Sequence, residues 1–207
     1  MADIIVILGP PGSGKTDHSK RLSQLSQDYS PIYHVSVGDR IRDIRTGKVN
    51  SAFSNVEIND SAVPEHIKHL GVDSIVFEYI SGCPSNSIVL VDGYPKFPEA
   101  VGVFLKSIEE NKHSLLGCVN LSISSETSLS RVTRRGVRMG ERITGDFSGG
   151  FANDRYSQYT EHTLGVIKTL GEIAPVITID AESNINTVWE SYCNAINELV
   201  NHRLQLS

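Results

Sequence analysis

Three glycines, a lysine and two hydroxyls share one short segment, Gly9-Pro10-Pro11-Gly12-Ser13-Gly14-Lys15-Thr16, which satisfies the pattern G-x-x-x-x-G-K-[ST]. Glycines at this spacing let backbone N–H groups turn inward around an anion, Lys15 adds a mobile positive charge, and the Thr16 hydroxyl can ligate magnesium. The apolar run Ile4-Ile5-Val6-Ile7-Leu8 precedes the segment, and a polar, helix-compatible stretch from Thr16 to Gln27 follows it. In that strand–loop–helix setting the loop is expected to bind a nucleoside triphosphate. Asp92 ends a second hydrophobic run, Val89-Leu90-Val91, where a carboxylate can hold magnesium directly or through water. Arginines then crowd together: Arg131, Arg134, Arg135, Arg138 and Arg142, followed by Arg155. Guanidiniums converging on phosphates would neutralise charge on a transferred phosphoryl group. The competing reading is a solvated helix face partnered by Glu141, Asp146 and Asp154, or a nucleic-acid patch.

These residues need elements that hold them together. Apolar, β-rich runs recur at Asp3–Leu8, Ile32–Val35, Ile88–Asp92, Leu116–Ile123 and Val176–Asp180. Helices are predicted near Lys15–Gln27, Asp39–Thr46, Pro64–Ser81, Pro98–Asn111, Glu126–Arg135, Asn153–Gly171 and Asn184–Leu204. Alternating strands and helices, with strands as continuously apolar as Ile88-Val89-Leu90-Val91, imply a doubly wound α/β fold: a parallel sheet between two helical layers. Two stretches depart from the alternation. Gly47 to Val63, rich in Ser, Asn and Asp, reads as a small excursion from the sheet, and the glycine-rich Gly136 to Gly150 reads as a mobile lid.

The bulk properties narrow the classes. A chain of 207 residues with 39% hydrophobic content can bury one substantial core, so residues 1–207 are expected to form a single domain. With 19 basic against 24 acidic residues the net charge is −5, which argues against general attraction to nucleic acid or an anionic membrane and makes the arginine cluster conspicuous. Cys83, Cys118 and Cys193 are odd in number and far apart, which speaks against a disulfide framework or a cysteine zinc site. A strand beginning near the N-terminus without an apolar leader, and no run of membrane-span length, lead us to expect a soluble cytoplasmic protein. Asn111-Lys112-His113-Ser114 begins like the guanine-reading N-K-x-D motif but lacks its Asp, which counts against a GTPase.

With Ser36-Val37-Gly38-Asp39-Arg40-Ile41-Arg42 after one strand and Asp92-Gly93-Tyr94-Pro95-Lys96 after another, the order and spacing over nearly the whole chain resemble the adenylate kinase and UMP/CMP kinase family. The resemblance implies a three-layer P-loop nucleoside triphosphate hydrolase-like fold with a five-stranded parallel sheet. It places a monophosphate-binding excursion at about residues 36–81 and a short lid at about 136–152. It assigns Ser36, Val37, Gly38, Arg42, Gly93 and Lys96 to the monophosphate, and Arg131, Arg135, Arg142 and Arg155 to the catalytic arginines flanking the lid. Arg131 also falls on the ATP side, Arg142 and Arg155 also on the acceptor side, and Tyr159 matches four residues after Arg155. The implied reaction moves the γ-phosphoryl of MgATP to a nucleoside monophosphate, with adenylate first, in a protein that is expected to be a monomer.

The departures from the family fall on specificity. Thr16 follows Lys15 directly, where the family usually places Gly and then Thr. Lys96 stands where the family has an arginine, keeping a charge but losing the planar bidentate fork. Glu99 falls where adenylate kinases carry a base-reading glutamine, and Val37 where they favour Thr and UMP/CMP kinases favour Ala. A carboxylate at Glu99 can accept hydrogen bonds from the exocyclic amine of adenine, cytosine or guanine and repels a uracil or thymine carbonyl. Gly145-Asp146-Phe147-Ser148-Gly149-Gly150 lengthens the segment between Arg142 and Arg155, and that segment has no cysteine for a zinc-bearing lid. Three alternatives stay open: a kinase of UMP/CMP type preferring CMP, a catalytically weak nucleotide-binding regulatory protein, and a kinase for a non-nucleotide small molecule.

Overall fold

Residues 1–26, 31–51, 65–138 and 149–206 are described by the computed structural model. Five apolar segments form one sheet: β1 (Asp3–Leu8), β2 (Ile32–Ser36), β3 (Ile88–Asp92), β4 (Ser114–Ser122) and β5 (Val176–Asp180). Every pairing is parallel and the order is β2-β3-β1-β4-β5. The chain therefore builds first to one side of β1 and then to the other, which opens a crevice at the carboxyl end of β1 where open α/β sheets bind ligands. Register puts chemistry at that end. Ile7 and Ser36 both lie beside Asp92, and Leu8 lies beside Asn120.

Alternate residues of β1 serve opposite faces, as the two-residue period of a strand requires. Ile4, Val6 and Leu8 join Val89 and Val91 under α3 (Glu65–Ser81), α4 (Pro98–Glu110) and α7 (Leu164–Gly171), through Val76, Phe77, Phe104, Val166 and Leu170. Ile5 and Ile7 join Leu90, Val119 and Leu121 under α8 (Ile185–Leu206), through Val188, Tyr192, Ile196 and Leu199, with Leu22 of α1 (Lys15–Leu25) packed alongside. Each such fully buried side chain contributes about 1.5–3 kcal/mol of apolar transfer. This double core holds the carboxyl edge of the sheet still. Trp189 and Tyr192 of α8 pack on this side of the sheet.

Four expectations shift in detail. The segment 153–171, read as one helix, is α6 (Gly149–Gln158), a π-helical turn at Tyr159–Thr163, and α7. The fourth strand starts at Ser114 because Ser114 N–H bonds the Ala2 carbonyl beside β1, an interaction that local hydrophobicity does not signal. The stretch Gly136 to Gly150 is helical at both ends, since α5 (Ser125–Arg138) runs past Gly136 and α6 begins at Gly149. Residues 139–148, including Arg142 and most of the expected lid, lie outside the described residues, as do residues 52–64 of the expected excursion. α2 (Val37–Arg45) starts two residues before its predicted beginning, with Ser36 as its N-cap.

Candidate active site

The glycine loop leaves β1 in conformations that L side chains avoid: φ is 150° at Gly9, 76° at Gly12 and 90° at Gly14. Space is short as well. A Cβ on Gly9 would lie 2.6 Å from the Leu121 carbonyl oxygen, and one on Gly12 would lie 3.1 Å from Cβ of Arg131. Ser13 N–H donates to the Pro10 carbonyl at 3.3 Å, closing the turn, and α1 begins at Lys15, so amides of the loop and the first helical turn face a common cradle. Lys15 Nζ donates back to the Pro10 carbonyl at 3.3 Å. Burial pushes its pKa below the ordinary lysine value; Asp92 opposes this, while Arg155 and Arg135 add to it. A phosphate in the cradle would relieve that excess of positive charge.

Asp92, at the tip of β3, is 2% exposed. Its Oδ2 accepts from the Thr16 hydroxyl at 2.6 Å and from His34 Nε2 at 3.4 Å. Burial disfavours its ionisation, but the His34 bond, the Lys15 charge and the Thr16 bond outweigh burial and hold the carboxyl below the usual carboxylate value. Its other oxygen, Oδ1, is buried without a hydrogen-bond partner among the described residues. That orphaned oxygen beside a threonine hydroxyl suits magnesium, which binds through few protein oxygens and completes its shell with water and phosphate. No cluster of three or more His, Cys, Asp or Glu that could hold a metal is found among the described residues.

α5 closes the loop from the other side. Ser128 Oγ donates to the Pro11 carbonyl at 2.7 Å, and Arg131 donates from Nη1 to the Gly12 carbonyl at 3.3 Å and from Nη2 to the Glu182 carbonyl at 3.4 Å. Arg135, one turn on, and Arg155 of α6 are both exposed, yet their charges reach Lys15. The arginines thus divide. Arg131 is fastened to the loop's rim, whereas Arg135 and Arg155 extend positive charge over its opening.

The second cationic wall is built on the β3–α4 connection. Gly93, at φ 82°, donates its N–H to the Ile7 carbonyl at 3.0 Å, and the Tyr94–Pro95 peptide is cis. Tyr94 turns inward, 3.3 Å from the buried Asp73, whose other oxygen accepts from Ser107. Burial raises the Asp73 pKa to about 6 against the pull of those two bonds. Lys96 turns into the cleft. Protein crowded around its ammonium pushes its pKa down to about 8, with Arg155 and Lys15 adding like charge, Asp92 opposing and Arg42 contributing least. Lys96 still presents an exposed face to the cleft, so water tempers that shift. Thr163 of the π-helical turn donates to the Lys96 carbonyl at 3.3 Å, and His162 packs 5.0 Å from the Phe97 ring.

Ser36 caps α2 with its Oγ 3.5 Å from Asp39 N, so Val37 and Gly38 form the first helical turn beside Asp92. Arg42 pairs with Asp39 and is 62% exposed. Glu99 is exposed in the first turn of α4. The structure therefore gathers Lys15, Thr16, Asp92, Lys96 and the charges of Arg42, Arg135 and Arg155 around one cleft. Sequence reading missed His34, Asn120, Thr163 and Glu182. His34 and Asn120 carry a detectable signal, a polar residue inside an apolar strand; Asn120 accepts from the Tyr159 hydroxyl at 3.0 Å.

A phosphate-binding loop at the carboxyl edge of a five-stranded parallel sheet, faced by a second cationic wall, defines a P-loop phosphotransferase. The family model for the AAA domain matches residues 8–144. Curated relatives span almost the whole chain. A uridylate kinase of Schizosaccharomyces pombe is 26% identical over 204 residues, covering 95% of this chain and 98% of that protein. An adenylate kinase of Campylobacter lari is 26% identical over 203 residues, covering 97% and 100%. An adenylate kinase of Campylobacter jejuni is 30% identical over 191 residues, covering 91% and 93%. The chain belongs to the adenylate kinase and UMP/CMP kinase family, with the P-loop core matched by the AAA domain, and is a divergent member of it. Among the described residues no helix is long and apolar enough to cross a membrane.

Proposed function

We propose that this chain transfers the γ-phosphoryl group of ATP to AMP, yielding two molecules of ADP. The single observation that carries the reading is the position of Arg155, whose charge acts on both Lys15 at the triphosphate loop and Lys96 on the opposite wall. A guanidinium whose charge reaches both lysines can neutralise a phosphoryl group passing from one to the other.

In this reading the loop from Gly9 to Thr16 and Lys15 hold the β and γ phosphates, and Arg131 secures the donor side of the loop. Magnesium, held between Thr16 and Asp92, would supply charge neutralisation between the β and γ oxygens. Ser36, Val37 and Gly38 at the start of α2, with Arg42, Gly93 and Lys96, hold the acceptor monophosphate. Arg135, Arg142 and Arg155 neutralise the group in flight, and Arg142 and Arg155 also touch the acceptor. An oxygen of the acceptor phosphate forms the new P–O bond as the bond to the β-phosphate oxygen breaks. That oxygen is already ionised near neutral pH, so no general base is required. Residues 36–81 and 136–152 act as excursion and lid, closing on the bound pair to exclude water.

Glu99 supports an acceptor base with an exocyclic amine, and the relatives named adenylate kinase favour adenine among those. The relative named uridylate kinase supports the pyrimidine alternative, for which Glu99 favours CMP over UMP. A coupled assay of ADP formation across AMP, CMP, UMP, GMP and dTMP, with and without magnesium, separates these. Fastest turnover with AMP and magnesium is expected. Faster turnover with CMP would move the assignment, and no stimulation by any monophosphate would leave a regulatory nucleotide-binding protein or a kinase of another acceptor.

A further inference from the structure

Glu182 lies in the turn between β5 and α8, far in sequence from the triphosphate loop, and is fastened at every polar atom it offers. Its carboxylate accepts from Ser124 N–H through Oε1 and from the Thr127 hydroxyl through Oε2, both at 2.6 Å. Its own N–H donates to Asp180 Oδ1 at 2.9 Å, and its carbonyl accepts from Arg131 Nη2 at 3.4 Å. The bonds from Thr127 and Ser124 hold its carboxyl below the ordinary value, so it is charged at neutral pH. Ser124 Oγ in turn accepts from Thr127 N–H at 3.2 Å, completing the start of α5.

The arrangement has a direction. α5 presents Ser128 and Arg131 to the carbonyls of Pro11 and Gly12 in the triphosphate loop, so the angle at which α5 leaves the sheet sets where both groups fall. Glu182 grips the first turn of that helix with its side chain and the Arg131 guanidinium with its backbone. We infer that Glu182 is a positioning residue for donor-nucleotide binding, clamping α5 and the β5–α8 turn together so that Arg131 is held against the loop. The clamp does not touch Lys96, Arg42 or Glu99, so its effect belongs to the donor and not to the acceptor.

This inference rests on the donor assignment proposed above, and calorimetric titration with ATP in the absence of acceptor tests both separately. Glu182→Ala is expected to weaken ATP binding about three- to tenfold while AMP binding stays within about twofold, the loss expected for hydrogen bonds that orient a binding group. Glu182→Gln keeps one acceptor oxygen for Ser124 N–H and turns its amide NH2 toward the Thr127 hydroxyl, which can accept, and is expected to bind ATP within about twofold of wild type. Thr127→Val, isosteric and missing one bond, should give a partial loss that does not add to that of Glu182→Ala. Equal ATP binding by wild type and Glu182→Ala overturns the inference alone, as does a parallel loss of ATP and AMP binding with a lowered melting temperature. A wild-type protein that binds no ATP overturns the donor assignment and the inference with it.

Discussion

The two walls of the cleft are built differently. On the donor side Ser13, Asp92 and His18 are almost wholly buried, Thr16 and His34 bond Asp92, and Ser128 and Arg131 bond loop carbonyls. Behind them Ser19 donates to the Lys15 carbonyl and shares a 2.7 Å bond with Tyr192. On the proposed acceptor side Arg42, Glu99 and the cleft face of Lys96 stand exposed, with Arg42 paired to Asp39 and the Lys96 carbonyl bonded by Thr163. The contrast teaches where specificity can vary. A triphosphate chain is the same in every donor, so its cradle can be rigid; an acceptor must be told apart by its base, and the residues offered to it sit on adjustable positions.

The sharpest break in the comparison should come from the group whose charge acts on Lys15 and Lys96 alike. Arg155→Ala is expected to lower turnover by about two to four powers of ten with far smaller changes in either KM, because its charge is needed when the phosphoryl group is between sites. A steady-state analysis varying both substrates checks this. Next in size, Asp92→Asn keeps an acceptor for Thr16 but removes the buried charge, and should lower turnover about a hundredfold, with partial recovery as magnesium is raised.

A smaller effect probes the acceptor wall alone. Lys96 is charged below its pKa of about 8 and neutral above it, so the KM for the monophosphate should rise as pH climbs through that value. Lys96→Arg stays protonated, should flatten that rise, and should tighten monophosphate binding about two- to tenfold through a bidentate contact. Kinetics from pH 6 to pH 9.5 would read both. Smallest in function, Tyr192→Phe removes one buried bond from beneath the loop while Ser19 keeps its bond to the Lys15 carbonyl. It should cost about 1 kcal/mol of stability in denaturant titration and leave the kinetics unchanged.

Much of the fold was legible because its signals are local. β1, β3 and β5 match the predicted ranges residue for residue, since each is a short run rich in β-branched residues and bounded by polar or turn residues. Thr16 and Asp92 were singled out although 76 positions apart, because each ends or follows a recognisable strand. What stayed hidden depends on pairing between distant elements. His34 matters only because parallel register sets β2 beside β3, and Glu182 only because its turn returns to the start of α5. The π-helical turn interrupts a segment whose composition reads as one helix, and packing of Thr163 and His162 on the Lys96–Phe97 backbone accompanies it. Arg131 was read from the resemblance as a catalytic arginine on the ATP side; that its guanidinium bonds two backbone carbonyls had no signal in the sequence.

In the proposed reaction a phosphoryl group passes directly from the buried wall to the exposed one. ATP labelled at the γ position, mixed with magnesium, AMP and the protein, tests this by following the label. Label is expected in ADP, dependent on AMP and nearly absent with Arg155→Ala. Label released as inorganic phosphate at the same rate with and without AMP would contradict it.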